Sequence, residues 1–345
     1  MKNKKLTALD LFSGCGGLTQ GLKEIGFKVL AAIENDKKAI ETYKANHPKT
    51  YIFEKDIIYI TEQELFKKLN LKKGELDLLA GCPPCQGFST LTTKLIKKVS
   101  NDKRNDLIFE FLRFVKILSP KTIMLENVPA LMKNKRFSKF VEHLTNSLNY
   151  KVTYEVVNAA DYGVPQRRKR LILIASKVHQ PSIAPKTSSL ITVKDTIGFL
   201  NTANDITDPI HSYKENRSQR IKELILAIPK DGGSRKDLPE RFHLDCHKRT
   251  NGFHDVYGRM RWNDVAPTIT SGCTNPSKGR FLHPEKNRAI TLREAALLQG
   301  FPKDYTFIPS HGKTSISLMI GNAFPPPLIK AQAKSIKKAL KNKLE

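Results

Sequence analysis

The chain has 345 residues, 59 of them Lys or Arg against 33 Asp or Glu, giving a formal charge of +26. That excess favours a polyanionic partner, nucleic acid above all, although a lysine-rich surface produces the same number without one. A 39% apolar fraction supports a full core. Five scattered cysteines indicate a reducing compartment, and no run has the length of a membrane span or the pattern of a signal peptide, so a cytoplasmic or nuclear protein with no membrane partner is expected.

Strands and helices alternate through the first half. An apolar run at 6–12 ends in Ser13-Gly14-Cys15-Gly16-Gly17. Residues 18–25 follow with helical spacing of Leu18, Leu22 and Ile25, and Gly26 closes them. A strand at 29–33 ends at Glu34, a helix spans 37–46 and stops at His47-Pro48, and a strand at 51–53 leads to Asp56. Strands at 76–80, 122–125, 151–158 and 170–175 then alternate with helices at 107–118 and 137–148. This pattern predicts an α/β protein with an open, doubly wound sheet and helices on both faces. Residues 178–290 are rich in Ser, Thr, Asn, Pro, Gly and basic side chains, with one helix near 218–227. They read as a smaller irregular domain. Regular signals return at 291–298 and in a helix from 327. The expected organisation is therefore 1–177, a large domain; 178–290, a small one; and 291–345, returning to the first.

The turn from Asp10 to Gly17 lets a ligand approach the backbone. Its glycines at 14, 16 and 17, with Thr19 where a dinucleotide fingerprint has its third glycine, fit a pyrophosphate poorly. Glu34 at the end of the next strand can accept ribose hydroxyls. Asp56 at the end of the third can take an adenine amino group. Ribose and adenine without phosphates describe S-adenosyl-L-methionine, with S-adenosyl-L-homocysteine as product.

Two further strand ends carry chemistry. Pro83-Pro84-Cys85-Gln86 follows the run at 76–80, and Glu126-Asn127-Val128 follows the run at 122–125. One sheet can bring a thiol and an acid to one pocket, as attack on a pyrimidine ring requires. Cys82 and Cys85 also make a Cys-x-x-Cys spacing, but zinc would need two more ligands so spaced, and Cys15, Cys246 and Cys273 stand singly. No metal is expected.

These segments together resemble the C5-cytosine DNA methyltransferases, over nearly the whole chain and in the family's order. Residues 10–17 resemble its first motif, Glu34 its ribose-binding acid, residues 81–89 its catalytic loop and 126–128 its acid motif. Gln166-Arg167-Arg168-Lys169-Arg170 is similar to its Gln-x-Arg-x-Arg motif, and residues 293–302 and Gly321-Asn322-Ala323 to its last two. The resemblance implies a Rossmann-like S-adenosylmethionine-dependent fold with a mixed sheet, double-stranded DNA in a cleft between two domains, and target recognition by 178–290. It implies that the cytosine is flipped out of the duplex, that Cys85 attacks C6, and that Glu126 contacts N3 while protonated or sharing a proton. Arg168 and Arg170 would bind cytosine O2 and a phosphate.

For the cofactor it implies Phe12, Gly14, Gly16, Gly17, Glu34, Asp56, Pro84 and Asn322, with Phe12 open to a second reading as a core aromatic. Gln86, Ser89, Asn127, Arg261 and Arg280 are the DNA-side candidates, Asn127 also pinning the Glu126 loop. The run 259–262 is expected on the DNA backbone, and Arg293 and Glu294 in a structural role. A bacterial, phage or archaeal enzyme, cytoplasmic and acting at the bacterial nucleoid, monomeric, paired with a restriction endonuclease, is the expected setting. The rivals are a tRNA cytosine-5 methyltransferase of the same fold, a non-catalytic DNA-binding homologue and a Rossmann-type dehydrogenase.

Overall fold

The computed structural model describes residues 5–84, 106–187, 189–200, 207–242 and 255–342. They form two compact units. The first comprises Met1–Asn158, Lys169–Lys186 and Phe324–Glu345; the second comprises Ala159–Arg168 and Thr187–Ala323.

The first unit runs β1 (Thr7–Leu11), α1 (Gly17–Glu24), β2 (Lys28–Glu34), α2 (Lys37–Asn46), β3 (Tyr51–Glu54), α3 (Glu62–Leu69), β4 (Leu78–Gly81), α4 (Leu107–Leu118), β5 (Thr122–Asn127), α5 (Lys135–Glu142), β6 (Lys151–Asn158) and β7 (Lys169–Ser176). The seven strands lie in the order β3-β2-β1-β4-β5-β7-β6. β1 to β5 pair in parallel, while β7 runs antiparallel to both β5 and β6. Every residue of β1 and β5 is buried, as a sheet covered on both faces requires. Leu9, Ile33, Leu79 and Leu125 join Phe111, Phe114, Phe137 and Phe140 of α4 and α5 in one cluster. Ala32 and Ile52, on the opposite pleat, join Ile40 and Tyr43 of α2 in another. This is the doubly wound sheet that the alternation predicts.

Two elements of the first unit depart from expectation. The helix expected over 137–148 is α-helical only to Glu142 and continues as a π-helical stretch, His143–Ser147. Thr145 Oγ1 donates back to Val141 O at 3.1 Å and Glu142 O at 3.2 Å, which competes with the regular ladder. α3 has no counterpart in the sequence reading. Its signal is Thr61, which caps Glu64 N at 3.2 Å ahead of buried Leu65 and Leu69.

The second unit carries short helices, α6 (Val193–Ile197), α7 (Gln219–Ala227), α8 (Leu292–Leu298) and α9 (Gly312–Asn322), joined by turns. One small apolar cluster includes Leu224, Ile225, Ile228, Leu238, Tyr257 and Leu282. Buried ionic groups supplement it. Arg259 is 0% exposed. It donates to the carbonyls of Ile225, Ile228, His283 and Lys286 and to Asn287 Oδ1, at 2.7–3.1 Å. A place for Arg259 on the DNA backbone is thus corrected: every guanidinium nitrogen is turned inward onto protein oxygens. Glu294 closes a capping box with Thr291 and takes Arg288 in a two-pronged pair at 2.7 and 2.8 Å. Arg293 instead pairs with Asp208 and donates to Tyr305 O.

α10 (Pro326–Lys341) returns to the first unit and packs on α1. A Cβ on Gly21 would lie 2.7 Å from Pro326 O, so only glycine admits this approach. The compact units differ from the expected boundaries in three places. Residues 178–186 stay with the first unit, where Ala184 N donates to Gln332 Oε1 of α10 at 2.9 Å. Residues 159–168 and 291–323 belong to the second, drawn in by bonds such as Arg288–Glu294 and Arg293–Asp208.

Burial lowers His283 to about 4, outweighing the charge of Glu294. Its folded value lies below its unfolded one, so its contribution is complete above about pH 6.5 and is lost as pH falls toward 4. We expect the second unit to lose about 2 kcal/mol between pH 6.5 and 5 from this group. Trp262, the only tryptophan, stands edge-on to His283 with centroids 5.2 Å apart. Denaturation followed by its fluorescence should show that slope in the wild type and lack it in His283→Gln.

Candidate active site

β1 ends in a turn that keeps left-handed backbone at three places: Phe12 at φ 59°, Gly14 at 53° and Gly16 at 99°. Among the described residues, nothing lies within 4 Å of where a Cβ on Gly14 would stand. Gly17 begins α1. Glu34 at the end of β2 locks the turn, taking Gly14 N on one oxygen at 2.8 Å and Asn35 N and Asp36 N on the other at 2.8 and 2.9 Å. Asp56 follows β3, accepts from Ile58 N at 3.2 Å and lies 3.4 Å from Asn35 Nδ2. The three strands are adjacent, so these acids share one edge of the sheet with the glycine turn. Phe12 is half-buried and packs against the main core, which favours the second of its two readings.

Beneath the turn lies a buried polar chain that the sequence reading did not assign. Thr19 Oγ1 donates to Asp10 Oδ2 at 2.7 Å and lies 2.9 Å from Tyr43 Oη. Asp10 Oδ1 has no hydrogen-bond partner among the described residues. Burial raises Asp10 to about 7, against the lowering effect of Thr19. His47, held neutral by burial at about 4, places Nε2 3.2 Å from Gly16 O. The only sequence signal for this support was Asp10 standing at the head of the motif.

Beside that edge, β4 and β5 end together, with Gly81 opposite Leu125. Glu126 is 7% exposed, and its Oε1 accepts from Arg170 Nε at 2.8 Å. Asn127 Nδ2 donates to Pro83 O at 2.9 Å while its Oδ1 accepts from Val128 N at 2.8 Å. Asn127 therefore ties the acid strand to the loop that carries Pro84. Both ends of its amide are committed to backbone, which supports pinning over contact with DNA. Cys85, Gln86 and Ser89 lie outside the described residues. The described thiols are not nucleophiles. Burial raises Cys15 to about 12 and Cys273 to about 11. Cys82 is half-buried as a residue, but its enclosed thiol is raised well above the ordinary value by burial and by Glu126 and Asp10. Among the described residues, no group of three or more His, Cys, Asp or Glu could hold a metal, and no helix is long and apolar enough to cross a membrane.

The family model for C-5 cytosine-specific DNA methylase matches residues 6–338. The chain belongs to that family. The Type II methylase M.HgiDII of Herpetosiphon aurantiacus is 40% identical over 346 residues, spanning 96% of this chain and 95% of its own. The Type II methyltransferase M1.HphI of Haemophilus parahaemolyticus is 34% identical, over 96% of this chain and 87% of its own. A solved protein encoded within an E. coli prophage is 27% identical with a TM-score of 0.71, covering 98% of this chain and all of that one. The sheet order and its single reversed strand are those of a Rossmann-like methyltransferase fold.

Within this C5 methylase, the Gln-x-Arg-x-Arg motif is divided in two. Arg170 is the second residue of β7, beside Glu126, whereas Gln166 and Arg168 are 0% and 2% exposed inside the second unit. Arg168 donates to Ile269 O at 2.9 Å, Gly321 O at 3.0 Å and Ala323 O at 3.3 Å. Gln166 donates to Leu298 O and Gln299 Oε1 and accepts from Ile269 N at 2.9 Å. Three of the methylase motifs thus converge on one buried polar knot. Gly321 completes it, since a Cβ there would lie 2.2 Å from Ser271 N. The expected contact of Arg168 with cytosine or phosphate is therefore corrected to a framework role. Asn322 is exposed at the end of α9. Arg261 is exposed. Arg280 is mostly committed, pairing with Asp255 at 3.0 Å and donating to Gly232 O and Arg259 O at 2.9 Å.

Proposed function

We propose that this methylase transfers a methyl group to C5 of a cytosine in a specific duplex DNA sequence. The observation that carries the reading is the Glu126–Arg170 pair, at 2.8 Å, set beside the tied loop that leads to Cys85, in a chain matched to its family over 6–338. The donor is S-adenosylmethionine. The residues suit it: Gly14 has no described residue crowding the turn, Glu34 is fixed by backbone amides with lone pairs to spare, and Asp56 stands at the rim. Gly14, Gly16 and Gly17 would admit the methionine part, Glu34 would hold the ribose, and Asp56 and Pro84 would flank the adenine and sulfonium ends.

The base is flipped out of the stack so that C5 and C6 are reachable. Cys85 as thiolate adds to C6. Glu126 holds a proton at N3, which drains charge from the ring and makes C6 electrophilic. Arg170 fixes Glu126 and offers Nη donors to the cytosine O2. S-adenosylmethionine, when bound, supplies an electrophilic methyl that the enamine-like C5 accepts. Loss of the C5 proton and β-elimination then free Cys85. The second unit reads the target, through exposed groups such as Arg261. The names of M.HgiDII and M1.HphI support a place in a Type II restriction-modification pair. On that reading the protein is a monomer that works at the bacterial nucleoid and shares its site with an endonuclease.

Nucleoside mass spectrometry tests this. Duplex DNA and tRNA are each incubated with the protein and S-adenosylmethionine. 5-Methylcytosine in DNA alone is expected. 5-Methylcytidine in tRNA alone would overturn the DNA assignment.

A further inference from the structure

An open cleft of about 430 Å³ lies within the second unit, between residues 214–217, residues 271–278 and the start of α9. Among the described residues, four cations line it, Lys214, Arg217, Lys278 and Lys313, against one carboxylate, Glu215. That carboxylate is already in use. Its two oxygens take Arg217 Nε and Nη2 at 2.8 and 2.9 Å, and Lys313 Nζ lies 4.0 Å away. Arg217 also donates to Thr274 O at 3.2 Å, so the ion pair is a fixed floor. Lys214 and Lys278 are exposed, and among the described residues no carboxylate pairs with either. Burial lowers the Lys313 ammonium despite Glu215, a position that an added negative charge would relieve. The rest of its described lining is hydroxyl, amide and backbone, with no large apolar side chain among the described residues.

We propose that this cleft seats the phosphodiester backbone of duplex DNA while the second unit reads its target. The inference rests on the DNA reading above. An apolar ligand has nothing to bury against here. A single free phosphate would call for enclosed, converging donors, whereas these lysines are mobile point charges spread along an open trough. That arrangement suits a line of phosphates whose counterions are released on binding.

The test compares the wild type with Lys214→Gln/Lys278→Gln and with the triple variant that adds Lys313→Gln. Binding to a duplex is measured over a series of salt concentrations, and Trp262 fluorescence confirms that each variant is folded. We expect the slope of log K against log salt to shrink by about 0.9 for each phosphate no longer neutralised, so by about 2 in the double variant. Affinity at low salt should fall at least tenfold, with kcat at saturating DNA unchanged. Slopes and affinities equal to wild type, in a wild type that methylates DNA, overturn the cleft and leave the function standing. A wild type that neither binds nor methylates DNA overturns both. Two arms separate other sources of the same chemistry. Displacement of duplex by millimolar inorganic phosphate, seen in the wild type and absent in the variants, would make this a free-anion site and overturn the proposal. So would variants that lose tRNA binding while keeping the duplex.

Discussion

Cys85→Ala will bring methyl transfer to the rate seen without enzyme, a loss of more than about 10⁶-fold, while S-adenosylhomocysteine still protects the protein against heat. The expectation rests on the division of labour at the sheet edge. No described thiol can substitute, because Cys15 and Cys273 are raised to about 12 and about 11 and Cys82 well above its ordinary value. A nucleophile must be a thiolate, and these three remain thiols at neutral pH. Most residues proposed for the cofactor are on other elements, the turn after β1 and the ends of β2 and β3, and Pro84 keeps its own side chain and backbone, so removing one sulfur leaves them in place. The check is paired: tritiated methyl transfer to duplex DNA and a thermal shift with S-adenosylhomocysteine. Retained turnover, or lost turnover together with lost cofactor protection, would sink the assignment.

Glu126→Gln will lower kcat by about 10²–10⁴, or about 3–5 kcal/mol of barrier, with the fold intact. Glutamine is the same shape. Its Oε1 can still accept from Arg170 Nε, and the Asn127 tie to Pro83 is untouched. What it cannot do is exchange a proton with N3. The Cys85–C6 adduct should then form slowly, and C5 should not become nucleophilic. A rate within tenfold of wild type would mean that Glu126 only orients the base. Arg170→Ala makes the useful contrast. It leaves a 7% exposed carboxylate without its cation and should therefore reduce stability as well as rate, which Glu126→Gln should not.

The acids at the sheet edge were legible because strand ends are. An apolar run that stops at Glu34, Asp56 or Glu126 inside a strand-helix alternation puts each carboxylate at the same edge of a parallel sheet, and the structure has that register. The arginines were not legible. Arg168 and Arg170 are two positions apart and chemically identical, yet one is sealed among carbonyls and the other reaches Glu126. Likewise Arg259 and Arg261 belong to one basic run, but Arg259 is the hub of a buried knot and Arg261 is exposed. A guanidinium satisfies carbonyls as readily as phosphates, so composition cannot tell an interior bolt from a surface contact. Only the path of the irregular chain around each side chain decides, and that path has no periodicity to read. α9 stayed hidden for a related reason, since it has no side-chain cap and few strong helix formers.

The direction of β7 has a consequence for how such an enzyme can be assembled. A strand parallel to its neighbours would enter the sheet at the far edge, with its first residue about 26 Å from the ends of β4 and β5. Because β7 runs the other way, the chain comes back from its excursion into the second unit at the edge where Glu126 stands, and Arg170 is on station two residues after Arg168. One stretch of five residues then belongs to the second unit at one end and meets Glu126 at the other. If the second unit reads the target as proposed, it can be exchanged between relatives as a cassette, provided the exchange leaves that short stretch whole.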